Sequence, residues 1–306
     1  MRPPILGAIR ACRPSNRTNA CVQTRKMSSL VSWEVDETAR VGMITLNSNE
    51  TYNALSVDMG REFESLVRNI CEDMRDGDSS KTSPSASRVN AIVLKGAGDN
   101  AFSAGGNLEW LHSLRENSVH RNVDLMLQFY HSFLSVRQLP VPVVAALQGP
   151  AMGAGACLSL ACDLRVAASH KKAILGFPFS KLGISTGMGC SWLLRNAGVP
   201  TAKVNEILMT GQTLSGEDAF DLGLVNRLAN GDAKEEAYTL ACEVAQQHPV
   251  AIRSMVQTLR LDEGLEATLQ REAFQQATCY NRGDWGRGVD AIAEKRSANF
   301  DDYFSK

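Results

Sequence analysis

Two stretches of this chain carry almost bare backbone where a strand gives way to a helix. Gly153-Ala154-Gly155 follows the apolar run 141–147 and precedes residues 156–161, whose small side chains suit a helix pressed against a sheet. Gly105-Gly106 follows the apolar run 91–96 and precedes Asn107-Leu108-Glu109-Trp110-Leu111, which opens a helix. Bare turns of this kind let a ligand reach main-chain N–H groups at a helix start, where unpaired donors and the helix dipole favour negative charge. If the N–H groups of Gly106 and Ala154 converge on one point, they form an oxyanion hole, a device suited to an enolate or another thioester-derived anion. The plainer alternative is that these glycines serve only two tight turns.

Other patterns point to other chemistry. Gly183-Ile184-Ser185-Thr186-Gly187 matches G-x-S-x-G, the nucleophile elbow of serine hydrolases, and His248 lies downstream with Asp218 and Asp221 between. That elbow needs a buried strand running straight into the serine, whereas Pro178, Ser180 and Lys181 interrupt the approach. A hydrolase using Ser185 therefore stands as an alternative. The run 153–158 begins like a dinucleotide fingerprint but ends on Leu158, and no G-K-[ST] phosphate loop occurs, so neither nicotinamide nor ATP is expected. The eight cysteines form no C-x-x-C pair and no cysteine–histidine metal spacing, so no metal is expected either. His112, His120 and His131 lie in or near helical sequence without a motif partner, and they read as surface or satisfied core residues.

The elements that would position these residues alternate. Residues 33–35 and 41–46 read as a hairpin, 59–74 as an amphipathic helix with Phe63, Leu66, Val67 and Ile70 inward, and 119–138 as a long helix with Val123, Leu127, Tyr130 and Leu134 on its buried stripe. Residues 164–168 and 173–177 read as two strands paired with each other, and 190–196 and 200–209 as helices. Beyond them 215–220, 233–247, 249–261 and 263–281 are almost wholly helical. An α/β core followed by a helical region is the fold class this order implies. The polar, low-complexity stretch 76–88 reads as an exposed loop inserted in a surface connection.

With 306 residues, 44% hydrophobic and 21% charged, the chain can bury a substantial core. A formal net charge of −1 gives no basic footprint for nucleic acid, and no apolar run is long enough to span a bilayer. Before Glu34 the only charged residues are Arg2, Arg10, Arg13, Arg17, Arg25 and Lys26. An Arg-rich, acid-free arm has the composition of an organelle-targeting leader, so residues 1–32 are expected to be a cleaved presequence for the mitochondrial matrix, with a plastid address as the alternative.

Taken together, the motifs resemble the crotonase superfamily, also called the enoyl-CoA hydratase/isomerase family. The resemblance spans most of residues 33–300. It is carried by Gly42-Met43-Ile44-Thr45-Leu46-Asn47, Asn53-Ala54-Leu55-Ser56, Phe102-Ser103-Ala104-Gly105-Gly106-Asn107-Leu108, the stretch 141–163, and Leu182-Gly183-Ile184-Ser185-Thr186-Gly187-Met188-Gly189. Thr210-Gly211-Gln212, the run 219–226 and Glu294-Lys295-Arg296-Ser297-Ala298-Asn299-Phe300 continue it. The resemblance implies a spiral of ββα units over 33–212, and a helical region over 213–306 that packs subunits into homotrimers or hexamers. It implies an acyl-CoA thioester as partner, with CoA part of the substrate and no separate cofactor. It carries Thr51 and Tyr52 over as CoA-side contacts, Ala104, Gly106, Asn107 and Leu108 as contacts along the pantetheine and thioester, and Gly106 and Ala154 as oxyanion donors. Asn107 stands where the family commonly has aspartate.

Hydratases of this family place one glutamate in a G-G-G-C-E-L pattern, aligned here with Gly153-Ala154-Gly155-Ala156-Cys157-Leu158, and a second in Q-P-E, aligned with Phe177-Pro178-Phe179. Cys157 and Phe179 thus occupy the positions of both usual acids. Hydration needs water activated and a proton delivered, work suited to paired carboxylates, so ordinary hydratase and isomerase activity is not expected. Three classes stay open: an active enzyme of the family (a hydratase, an isomerase or a relative performing another enolate reaction, such as a decarboxylase-type member), a non-catalytic acyl-CoA binder, and a structural subunit of a mixed oligomer.

Overall fold

β1 (Val31–Asp36) and β2 (Val41–Leu46) form the expected antiparallel hairpin, Trp33 facing Ile44 across the pair. The computed structural model describes residues 30–76, 86–169, 174–260, 263–281, 284–294, 296 and 298–300. Residues 1–29 of the expected leader and 77–85 of the expected polar loop lie outside them.

After the hairpin the chain alternates as its hydrophobic periods require. α1 (Val57–Asp76) buries Met59, Phe63, Leu66, Val67 and Ile70, a helical spacing, and extends past both ends of the expected helix. Then come β3 (Ala91–Gly96), α2 (Leu108–Ser113), α3 (Val119–Leu134), β4 (Val143–Leu147), β5 (Ala151–Met152), α4 (Ala154–Ala161), β6 (Leu164–Ala168) and β7 (Leu175–Gly176). α5 (Cys190–Asn196), α6 (Thr201–Thr210), β8 (Thr213–Leu214), α7 (Gly216–Asp221) and β9 (Arg227–Ala229) follow. The chain closes with α8 (Ala233–Ala245), α9 (Pro249–Leu259), α10 (Leu265–Tyr280) and α11 (Asp284–Ala293). The sequence periods missed the short strands β5, β8 and β9, and α11 as well.

The six-stranded sheet has the order β1-β2-β3-β4-β6-β9, and all pairs but β1–β2 are parallel. Its central strands β3 and β4 are buried on both faces, which explains their apolar runs. Ile92, Leu94, Val143, Ala145 and Leu147 face the larger core beneath α1, α3 and α4. Ala91, Val93, Val144 and Ala146 point the other way, into a second core covered by Ala237, Leu240, Ala241 and Ala245 of α8.

A second, three-stranded sheet has the order β5-β7-β8, and isolated bridges Ser103↔Ala151 and Leu55↔Gly106 continue it toward the N-terminal side. Each turn of the chain gives one strand to the large sheet, one short strand or bridge to the small one, and then a helix. This alternating β/α core with helices at its C-terminal end is the crotonase spiral.

Two expectations need correction. β6 and β7 do not pair with each other: β6 joins the large sheet between β4 and β9, whereas β7 lies between β5 and β8. The chain crosses from one sheet to the other between them, as it does between β4 and β5. On α3 the buried stripe is Met126, Phe129, Tyr130 and Phe133, while Val123 and Leu127 are only partly buried. Packing of this helix against both α1 and α10 rotates its inner face toward the aromatic residues.

Candidate active site

Asn53, fully buried, builds the first turn. Its side-chain amide donates to the carbonyls of Ala97 and Ala101, both at 3.0 Å, and its main-chain carbonyl accepts from the Ser103 hydroxyl at 2.8 Å. The loop carrying Thr51 and Tyr52 is thereby tied to the turn, and Ala104 N–H donates to the Tyr52 carbonyl at 2.9 Å. Gly105 has φ of 98°, and a Cβ added there would lie 2.6 Å from the Met152 carbonyl oxygen and 3.8 Å from the Ala154 nitrogen. Only glycine lets the two turns touch. Leu55 N–H donates to the Gly105 carbonyl at 2.7 Å and Asn107 N–H to the Leu55 carbonyl at 2.8 Å. The N–H of Gly106, between them, donates to no acceptor among the described residues.

The second turn is held by Gly153 N–H, which donates to the Gly176 carbonyl at 2.9 Å. Gly153 has φ of 50° and is the residue before α4. The first main-chain bond of that helix runs from Cys157 N–H to the Gly153 carbonyl at 3.0 Å. Ala154, at the first helical position, therefore has an N–H that the helix cannot pair, and it meets no acceptor among the described residues. α4 begins at this residue, two positions earlier than its apolar run indicated.

Gly106 and Ala154 both line one cavity of about 80 Å³. Its walls are apolar, built by Leu111 of α2, Met126 and Phe129 of α3, Phe179, Leu182 and Met188, while Gln276 and Tyr280 of α10 close it. Among the described residues no Asp, Glu, His, Lys, Arg or Cys lines this cavity. Among the described residues its ionisable groups are the phenols of Tyr130 and Tyr280, and burial pushes both well above the usual tyrosine range. The Tyr130 hydroxyl donates to Gln276 Oε1 at 2.7 Å, and Gln276 Nε2 donates to the Ser185 carbonyl at 2.9 Å.

A buried carboxylate, Glu272, lies one turn before Gln276 on α10, yet its oxygens are occupied. They accept from Thr186 Oγ1 at 3.1 Å, Gly189 N–H at 2.8 Å, Ser191 N–H at 3.0 Å and Ser191 Oγ at 2.6 Å. This carboxylate caps the start of α5 and does not line the cavity.

Residues 36–303 match the family model for enoyl-CoA hydratase/isomerase. The chain belongs to the enoyl-CoA hydratase/isomerase family. A Thermus thermophilus relative is 36% identical over 267 residues, covering 86% of this chain and 98% of its own. The human enoyl-CoA hydratase domain-containing protein 2, mitochondrial, is 33% identical over 224 residues, 70% of this chain and 73% of that protein. A crystal structure of enoyl-CoA hydratase from Bacillus anthracis superposes with a TM-score of 0.63 at 28% identity, covering 89% of this chain and 98% of that one.

Of the residues that the enoyl-CoA hydratase/isomerase resemblance singled out, Ala104, Gly106, Leu108, Ala154 and Phe179 line the cavity. Thr51 and Tyr52 do not; they are exposed beside Ala104 at its mouth. Asn107 also stays outside, and its side chain caps α2 by accepting from Trp110 N–H at 2.9 Å, a task an aspartate would perform equally. Cys157 is fully buried behind the wall, its Sγ 3.6 Å from the carbonyl oxygen of Gly187, a wall residue. Sequence reasoning missed Gln276 and Tyr280, because nothing in the pattern of α10 distinguishes residues facing a cavity from residues facing the core.

The hydrolase alternative fails on geometry. Ser185 lies in an irregular stretch before α5, not on a turn from strand to helix. His248 is exposed at the start of α9, and the Asp218 side chain is taken up by the Ser215 cap of α7. His120 is exposed and His131 Nε2 lies 3.7 Å from a carboxylate oxygen of Glu266, while the His112 ring packs 5.4 Å from that of Trp285, and none of the three lines the cavity. Among the described residues no group of His, Cys, Asp and Glu has the arrangement of a metal site.

Proposed function

We propose that this chain binds an acyl-CoA thioester with the acyl group in the apolar cavity and the carbonyl oxygen between the N–H groups of Gly106 and Ala154. The observation that carries this reading is the pair of unpaired main-chain donors on one cavity wall. A thioester carbonyl gains most from them when it takes on enolate character, so the site stabilises the anion more than the ground state. CoA leaves past Ala104 and Leu108 toward Thr51 and Tyr52. No separate cofactor is needed.

What the cavity lacks restricts the reaction. With Cys157 and Phe179 at the family's glutamate positions, no group among the described residues is placed to activate water or to move a proton on the α-carbon. The reaction that suits a hole without a base is one in which the substrate makes its own enolate. Decarboxylation of a malonyl-type thioester is such a reaction: the carbon–carboxylate bond breaks, its electron pair becomes the enolate, carbon dioxide leaves, and a proton from water restores the α-carbon. An apolar wall without a cation favours that loss, because it solvates the departing carboxylate poorly. Binding without turnover is the second reading.

The acid-free leader and the mitochondrial name of the human relative support a matrix address. Assembly into trimers or hexamers is supported by the exposed Val250, Met255 and Leu259 of α9 and Phe274 of α10.

Calorimetric titration with butyryl-CoA and with free CoA tests the binding reading. Micromolar affinity that depends on the acyl group is expected. Failure of both ligands to bind would leave only a structural role.

A further inference from the structure

Trp285 of α11 is wholly enclosed, 0% exposed, yet its indole N–H meets no acceptor among the described residues. Buried donors in native folds are almost always paired, because an unpaired one carries its full desolvation cost. Two rings stand next to this indole, each with its centroid 5.4 Å away: Tyr280 of α10, edge to face at 83°, and the half-buried His112 of α2, tilted at 49°. Of the two rings only the neutral imidazole carries an acceptor atom in the ring itself.

The two sides of this contact are held unequally. α11 is pinned, since a Cβ added at Gly288 would lie 2.4 Å from the main chain of Leu182, a cavity residue. α2 is six residues long and gives Leu108 and Leu111 to the cavity wall, with Leu108 47% exposed. It thus touches the cavity through Leu111 and Trp285 through the next residue, His112. We propose that His112 is a positioning residue: when an acyl group fills the cavity, α2 settles toward α11, the His112 imidazole accepts the hydrogen bond of the Trp285 indole, and this bond holds α2 against the ligand.

This latch rests on the acyl-CoA reading, and the test separates the two. Indole N–H resonances of the full chain, labelled with nitrogen-15, are recorded with and without butyryl-CoA, the four tryptophans being assigned by single Trp→Phe variants. The Trp285 signal is expected to move downfield when the ester binds, the mark of a new hydrogen bond to nitrogen, and to stay in place in His112→Phe, which keeps a ring and loses the acceptor. One net hydrogen bond corresponds to a dissociation constant about 5- to 10-fold higher in His112→Phe, with most of the affinity restored in His112→Gln, whose amide oxygen can accept. Binding of butyryl-CoA to the unmodified protein with an unmoved Trp285 signal overturns the latch but not the acyl-CoA reading, and this comparison needs no His112 variant to fold. A signal held upfield in both states would assign the N–H to the face of Tyr280 and overturn the latch equally. Failure of butyryl-CoA to bind overturns both.

Discussion

Proline fits the first position of a helix, where its missing N–H would have had no helical partner. Ala154 occupies that position in α4, so Ala154→Pro deletes one donor of the hole with little disturbance to the helix. Two hydrogen bonds to a thioester carbonyl lower its stretching frequency, and infrared difference spectra of carbonyl-labelled butyryl-CoA are expected to show a smaller shift in this variant. Loss of one such donor typically costs about 100- to 1,000-fold in a reaction through an enolate. An unchanged carbonyl band in folded Ala154→Pro would remove Ala154 from the hole. The pH dependence belongs to the same scale. Tyr130 and Tyr280 are the ionisable groups of the cavity, and both are raised by burial, so they stay neutral until the solution is well above the ordinary tyrosine value of about 10. Affinity for butyryl-CoA is therefore expected to be flat between about pH 7 and pH 9, measured by titration calorimetry, and to fall only in stronger alkali. A step inside that window would mean that an ionising group unseen in the cavity wall contacts the ligand. At this scale the donors were legible, because glycine and alanine beside a helix start leave main-chain N–H groups reachable. Gln276 and Tyr280 were not, because a cavity wall and a packed core place the same demand on a helical face.

α4 aims the donor of Ala154 and is held at its other end by a buried arginine. Arg165 is 7% exposed and has only carbonyl partners: NH1 donates to Ser159 at 3.2 Å and to Cys162 at 2.7 Å, while Nε donates to Leu224. A guanidinium at the carbonyl end of a helix completes bonds that the helix cannot and opposes its dipole. Desolvation lowers the arginine pKa, and the neighbouring Cys162 and Asp163 oppose that shift only in part. Arg165→Met would leave the Cys162 and Leu224 carbonyls without this donor, while Ser159 keeps the Cys162 N–H, and is expected to destabilise the fold by about 3 kcal/mol in urea unfolding. A loss under about 0.5 kcal/mol would mean that these carbonyls are satisfied without it. The long elements were readable because their periods are sustained: 3.6 in α1, and unbroken apolar runs in β3 and β4. The pairing of β6 with β7 was misread because β7 is two residues long, too short to carry any period, so nothing local told which of two sheets it would join.

Over the whole molecule, the proposed function separates the family's scaffold from the family's ordinary chemistry. The spiral, the two bare turns and the helical C-terminal region are intact, and membership is shown across residues 36–303. Among the described residues the cavity wall nevertheless carries no carboxylate, and the buried Glu272 is spent on capping α5. On that proposal, a fold with an anion hole and no acid or base should still bind the unsaturated thioester that an ordinary hydratase consumes. The most direct measurement is the hydration of crotonyl-CoA by the purified chain, followed by loss of enoyl absorbance, with binding of the same ester measured in parallel. Micromolar binding, with hydration several orders of magnitude below a turnover of about 100 per second, is the predicted result. Hydration at about 100 per second or faster would contradict it, because a proton-transfer group would then have to reach the cavity.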